Sequence, residues 1–363
     1  VLLQIAEPGA TADVHGDRQI GVGIDLGTTN SLIAHFDGTD LRVLEDESGQ
    51  ASLPSVVYYG AKGTVVGTAA ETYSSSEPTN TIASAKRMLG RARAEFEDDP
   101  YVALAEGEGL AFNTDAGSKT PVEVSSAILN ELKLRAEPQL TGLIAGAVIT
   151  VPAYFDDAQR QATRQAAELA GVKVLRLLNE PTAAAVAYGL DEHAEESSLL
   201  AVYDLGGGTF DISLLRMRAG LFEVLATGGD SALGGDDFDR ALATYLMEQV
   251  ALDAPNPVQR RVLLSLARQA KEALSEAESV SVDVSALSAR SEEIMVSRST
   301  LDGLLAPFIE RTLAACRMTL EDAGVETVDR VVLVGGSTRT PAVRQAVAKC
   351  FDLEPLCSLD PDQ

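Results

Sequence analysis

Between Gln19 and Phe36 an apolar stretch, a short polar turn at Gly27–Asn30 and a second apolar stretch follow one another, which predicts two strands joined as a β-hairpin. Hydroxyls sit at its tip. The pattern returns at Leu199–Leu215, where Asp204-Leu205-Gly206 repeats Asp25-Leu26-Gly27 at a distance of 179 positions. Each hairpin is followed, about 125 residues on, by another apolar strand that runs through a turn into a helix, first at Ala147–Phe155 and then at Val331–Pro341. Hairpin, insertion, strand and helix therefore occur twice, as in a duplicated α/β unit.

Helical signals fall at Asp156–Leu169, ended by Gly171, and at Asn179–Gly189, where Pro181 suits a first turn. Helix-period apolar spacing also runs through Asp236–Val250, Pro257–Ala277 and Leu301–Asp322. The acidic, unpatterned stretch Leu190–Ser198 is the expected boundary between lobes. The expected organisation is an N-terminal extension over 1–19, a first lobe over 20–192 with an inserted subdomain near 55–130, and a second lobe over 193–363 with one near 232–310.

The chain has 363 residues, enough for more than one compact unit, and 45% hydrophobic residues supply a sizeable core. Lys and Arg number 29 against 54 Asp and Glu, a net charge of −25. Such a field repels polyanions, so neither nucleic acid nor an anionic membrane surface is an expected partner. An anion can be held only where backbone N–H groups, a cation or one well-placed lysine neutralise it locally. Cys316, Cys350 and Cys357 are too few and too poorly spaced for a disulfide framework or a metal site, which fits a reducing cytoplasm. No targeting segment and no membrane-spanning run is visible. The start at Val1 and the end at Asp362-Gln363 suggest a piece of a longer protein.

The glycines at 21, 23 and 27 do not form a dinucleotide fingerprint, because a strand rather than a helix follows them, and no Walker A sequence occurs. The two hairpin turns offer another means. Gly27-Thr28-Thr29 and Gly206-Gly207-Gly208-Thr209 combine small residues with hydroxyls and could clamp a polyphosphate from opposite sides. Asp25, Asp204 and Asp211 flank those turns; carboxylates beside phosphates repel unless a hard cation such as Mg²⁺ bridges them through its waters. Gly335 and Gly336 follow a buried strand, and Arg339 at the mouth of a helix suits flat packing on a purine. Taken locally, Lys86 is one of several basic residues and Glu180 is a carboxylate at a helix start.

Ile24–Ser31, Asn179–Ala185, Tyr203–Asp211 and Val334–Arg339, in that order and spacing, resemble the ATPase domain of the heat shock protein 70 family, the DnaK-type chaperones, over about Gly21–Asp362. Leu2–Gly9, Tyr154–Gln161 and Gly228–Asp239 resemble its HscA branch, which serves iron-sulfur cluster assembly. The resemblance implies an α/β fold of the actin-like, hexokinase-like kind, with two duplicated lobes around a nucleotide cleft. It implies that Thr28, Thr29 and Asn30 bind phosphate from one lobe and Gly206, Gly207, Gly208 and Thr209 from the other. Lys86, Glu180, Asp204 and Thr209 would carry the hydrolytic chemistry, with Lys86 reaching the γ-phosphate. Asp25, Glu180, Asp204 and Asp211 would hold Mg²⁺, with K⁺ nearby. Lys271, Ser275, Gly335, Gly336, Ser337, Arg339 and Asp362 would line the adenosine side.

The implied cofactors are ATP or ADP, Mg²⁺ and K⁺. The implied partners are a J-domain co-chaperone and, through a peptide-binding domain that this chain lacks, an iron-sulfur scaffold protein or an unfolded client. Arg268 stands where a glutamate is common in the family, which removes an acceptor from the ribose side and predicts weaker adenosine binding and fast ADP release. A general folding chaperone of the same family, a sugar or acetate kinase, and an actin-like filament protein are the alternatives of the same superfamily.

Overall fold

The computed structural model describes residues 19–61, 63–97, 104, 109–187, 197–218, 221–287 and 293–356. In the first half, β1 (Gln19–Leu26) and β2 (Asn30–Phe36) form the first hairpin, followed by β3 (Leu41–Val43) and β4 (Leu53–Pro54). Then come β5 (Val56–Gly60), β6 (Gly63–Val66), α1 (Thr68–Glu71), β7 (Thr81–Ala83) and α2 (Pro121–Ala136). The half closes with β8 (Leu143–Val151), α3 (Asp157–Leu169), β9 (Val174–Asn179) and α4 (Glu180–Ala187). The second half holds β10 (Ser198–Leu205), β11 (Phe210–Arg218), β12 (Leu221–Asp230), α5 (Gly235–Gln249) and α6 (Pro257–Glu276). It ends with β13 (Ser279–Asp283), β14 (Glu293–Ser297), α7 (Arg298–Asp322), β15 (Arg330–Val334) and α8 (Pro341–Phe351).

Strand β1 alternates exposed and buried positions without exception, so Ile20, Val22, Ile24 and Leu26 share one inward face. It pairs antiparallel with β2 and parallel with β8. The second half repeats this arrangement: β10 pairs antiparallel with β11 and parallel with β15. The two sheets run β3-β2-β1-β8-β9, with β4 beside β2, and β12-β11-β10-β15. In both, the strand that leads into a hairpin turn lies beside the strand that leads into a helix, so the turns and the helix starts gather at one edge. Ligands in open α/β sheets lie at that end of the strands.

Each sheet has its own core. Ile24, Ile33, Leu129 and Ile149 belong to the first, and Tyr203, Phe210, Phe238 and Leu305 to the second. Tyr203 is fully buried and donates its hydroxyl to Thr312 Oγ1 at 2.7 Å, which satisfies the one polar atom it takes into the core. Smaller sheets, β6-β5-β7 and β13-β14, are built from the segments between the paired strands.

Several boundaries differ from the sequence reading. Asn179 ends β9 and α4 starts at Glu180, so the asparagine is the last strand residue and not the first helical one. Asp156 stays outside α3 as its cap, accepting the Gln159 N–H at 2.8 Å. The helix expected from Leu301 begins at Arg298, because Ser297 caps it by accepting from the Thr300 N–H. Gln19, expected in the N-terminal extension, opens β1 instead; residues 1–18, Asp362, Cys357 and most of the expected lobe boundary lie outside the described residues.

Candidate functional site

The edge of each sheet where the turns gather faces one cavity of about 750 Å³. From the first half it is lined by Asp25, Thr28, Thr29, Asn30, Lys86 and Glu180. From the second it is lined by Asp204, Gly206, Gly207 and Thr209, and further along by Lys271, Ser275, Gly335, Gly336, Ser337 and Arg339. Gly208 and Asp211 are not on that wall. A Cβ on Gly208 would meet Thr28 Cγ2 at 2.6 Å, so this glycine lets the two turns touch. Asp211 lies behind the turn on β11, opposite Asp204, and is buried.

The turns are braced. Ser31 Oγ accepts the Gly27 N–H at 3.2 Å and Ser55 Oγ donates to the Gly27 carbonyl at 2.9 Å. In the second turn Gly206 N–H bonds the Thr209 carbonyl at 3.1 Å. The first turn of α5 anchors the loop from behind, with Gly235 N–H on the Gly206 carbonyl at 2.9 Å and Asp236 N–H on the Gly207 carbonyl at 2.6 Å. A Cβ on Gly234 would meet the Gly207 carbonyl oxygen at 2.5 Å, so the Gly234-Gly235 pair is what lets helix and loop approach this closely. Gly335 has φ +85° and approaches the Leu205 carbonyl, a conformation and spacing that only glycine accepts readily.

One cation faces four carboxylates at the centre. Lys86 Nζ donates to Glu180 Oε1 at 2.7 Å, and the two side chains are 8% and 16% exposed. Burial opposes the charge on Lys86, but Glu180, Asp25 and Asp204 outweigh it, so its pKa rises and it stays an ammonium. Burial pushes Glu180 up, against the pull of Lys86. It pushes Asp204 up to about 8, with Glu180 adding to the effect, and it raises Asp211 well above the usual carboxylate range. Burial raises the carboxylates and opposes the lysine's charge; the excess of neighbouring negative charge adds to the first effect and overcomes the second.

That excess is the property of a cation site. Asp211 Oδ1 and Thr29 Oγ1 are buried and have no hydrogen-bond partner, so polar atoms are left open beside the turns. Among the described residues no three acidic, histidine or cysteine groups converge closely enough to clasp a bare metal ion. The residues present fit a hard cation that keeps its waters, as Mg²⁺ does, because the donor set is all oxygen: the Asp25, Glu180 and Asp204 carboxylates on the wall and the open Thr29 and Asp211 oxygens.

The far wall uses residues that local sequence reading did not single out. Asp239 is almost fully buried and pairs with Lys271 Nζ at 2.7 Å and with Arg268 Nε at 3.0 Å. Arg268 also reaches Asp236 at 3.3 Å, and Ser84 Oγ donates to the other Asp236 oxygen at 2.6 Å. Ser337 Oγ donates to the Gly206 carbonyl at 2.9 Å, and Ser275 Oγ to the Lys271 carbonyl at 3.3 Å. The acidic run Gly234–Asp239 was the available signal for the two aspartates. Thr150, whose hydroxyl donates to Asp25, had none.

The family model described as Hsp70 protein matches residues 21–363. Chaperone protein HscA homologs from Methylobacillus flagellatus and Shewanella amazonensis are each 53% identical over the whole chain and are covered over 59% of their own length. One from Azotobacter vinelandii is 54% identical, covered over 58%. The chain thus spans a little under three-fifths of the curated relatives it matches.

Proposed function

The chain belongs to the heat shock protein 70 family and has the actin-like α/β fold of that family's ATPase domain; on that premise we propose that its cavity binds ATP with Mg²⁺ and hydrolyses it to ADP and phosphate. The observation that carries this reading is the pairing of two opposed glycine-hydroxyl turns with a single buried lysine among four carboxylates.

In this reading Thr28, Thr29 and Asn30 hold the phosphates from the first lobe, and Gly206, Gly207, Gly208 and Thr209 from the second. Gly335, Gly336, Ser337, Arg339, Lys271 and Ser275 line the adenosine side. Mg²⁺ bound near Asp25, Glu180 and Asp204 would neutralise charge on the phosphates, and K⁺ suits the partnerless Asp211 oxygen behind the turn. Lys86 directs its ammonium at the transferring phosphoryl group. Glu180 fixes that ammonium through their 2.7 Å contact and, with Asp204, accepts from the attacking water. Positioning and charge do most of the work in such a transfer.

Likeness to HscA homologs over the whole chain favours a chaperone of that branch, acting in iron-sulfur cluster assembly in the cytoplasm. Its partners would be a J-domain co-chaperone and, through a peptide-binding domain outside this chain, an iron-sulfur scaffold protein. Among the described residues no helix is long and apolar enough to cross a membrane. Steady-state ATP hydrolysis with and without a J-domain protein tests the proposal. Stimulated hydrolysis supports it, and transfer of phosphate to a sugar or to acetate overturns it.

A further inference from the structure

A second cavity of about 670 Å³ opens beside the first, between the α1–β7 segment and α6. Thr29, Asn30 and Asp236 line both, so the two are continuous past the first phosphate turn. In a chain with 29 basic against 54 acidic residues, this cavity gathers four arginines, Arg87, Arg240, Arg261 and Arg268.

The carboxylates in it are unevenly shared. Asp236 and Asp239 bond Arg268, Lys271 and Ser84, and Arg87 lies at the longer distances of 3.9 Å from Asp236 and 3.8 Å from Asp237. Glu71 and Glu272 act on Arg268. Arg261 receives no ion pair among the described residues. Its Nη2 donates to the Thr81 carbonyl at 3.0 Å, while its Nε is buried without any acceptor. Burial and then the neighbouring Arg268 work against its charge, and the weaker pull of Asp236 does not offset them. A guanidinium held in a cavity with a donor unused lacks an anionic acceptor.

We propose that Arg261, with Arg87 and the cavity's hydroxyls, forms a site for inorganic phosphate, the product of the hydrolysis proposed above, on its way out past Thr29 and Asn30. The inference rests on that reading of the first cavity. A small dianion suits the place: it matches the fork of a guanidinium, and it forms one turn away, at the shared wall. Elsewhere the net charge of −25 works against holding it.

The test titrates inorganic phosphate, followed by ³¹P NMR, into the full chain saturated with ADP and Mg²⁺, alongside chemical-quench measurement of ADP formation. Arg261→Gln should weaken phosphate binding about tenfold or more, the loss of one charge-assisted contact, with ADP affinity and ADP formation unchanged. Ser265→Asp is the second variant. Ser265 is exposed, lines the same cavity and lies one helical turn from Arg261, so an aspartate there should repel phosphate and should not disturb packing. Phosphate bound as tightly in both variants as in the wild type overturns the proposal. Failure of ADP to bind or form would instead count against the first cavity's assignment.

Discussion

Thr29 and Gly207, one from each hairpin turn, meet across the cleft so closely that a Cβ on Gly207 would lie 1.7 Å from Thr29 Oγ1. The two turns can therefore close on a shared ligand only while position 207 has no side chain. Gly207→Ala should leave the melting transition of each core in place and weaken ADP binding at least about tenfold, read by calorimetric titration. An unchanged affinity would show that the turns need not approach.

Lys86 should be needed for hydrolysis more than for binding. It contacts Glu180 and lines the cavity, and in the proposed reading its ammonium would act on charge that develops during transfer. Lys86→Ala should cut the single-turnover rate by about a hundredfold or more while ATP affinity changes by only a few fold. Equal losses of rate and affinity would make Lys86 a binding residue only.

Arg268 tests a point where structure changes the sequence reading. As a departure from the family's common glutamate it predicted loosely held adenosine. The structure adds that Arg268 bridges Asp236 and Asp239, and that Asp239 in turn holds Lys271 on the cavity wall. Replacing it with glutamate would place a third carboxylate beside two others, so Arg268→Gln is the cleaner probe. Stopped-flow release of labelled ADP should be faster in Arg268→Gln than in the wild type, because Lys271 loses a fixed partner. An equal rate would show that the bridge does not hold the adenosine side.

Tyr58 supplies a pH dependence away from the cavity. Its hydroxyl donates to Glu77 at 2.7 Å, and that carboxylate pushes the phenol up to about 12 from an ordinary 10. A folded-state pKa above the unfolded value stabilises fully below the unfolded pKa and is lost as pH rises through the folded one. The stability advantage of the wild type over Tyr58→Phe should therefore be constant below pH 10 and shrink between pH 10 and 12. Denaturant unfolding at both ends of that window checks it, and a constant difference throughout would place the titration elsewhere.

The hairpins were legible because alternation in Ile20, Val22, Ile24 and Leu26 and the repeated Asp-Leu-Gly turn are local signals. The order of those signals showed that a strand leading into a helix recurs after each hairpin, but that this strand pairs parallel with β1 and with β10 is visible only in the structure. The small sheets were not legible: β7 has three residues and β6 four, too few for a period to show. Lys86 was not legible from its surroundings either, since its 3₁₀ turn carries no chemical pattern and its partner Glu180 lies 94 positions away. Asp236 shows the same limit, with Ser84 152 positions distant. Contacts of that range are fixed by how the two halves pack, and only the resemblance pointed to Lys86.

The account's central claim is that the two turns jointly hold a polyphosphate through a cation. Amide hydrogen exchange over Gly27–Asn30 and Gly206–Thr209 measures it directly, in the free chain, with ADP alone and with ADP and Mg²⁺. Both segments should slow together, and strongly only when Mg²⁺ is present, because a chain of net charge −25 with Asp25, Glu180 and Asp204 on the cavity wall repels a bare polyphosphate. Unchanged exchange at saturating nucleotide, or slowing of one turn without the other, would contradict it.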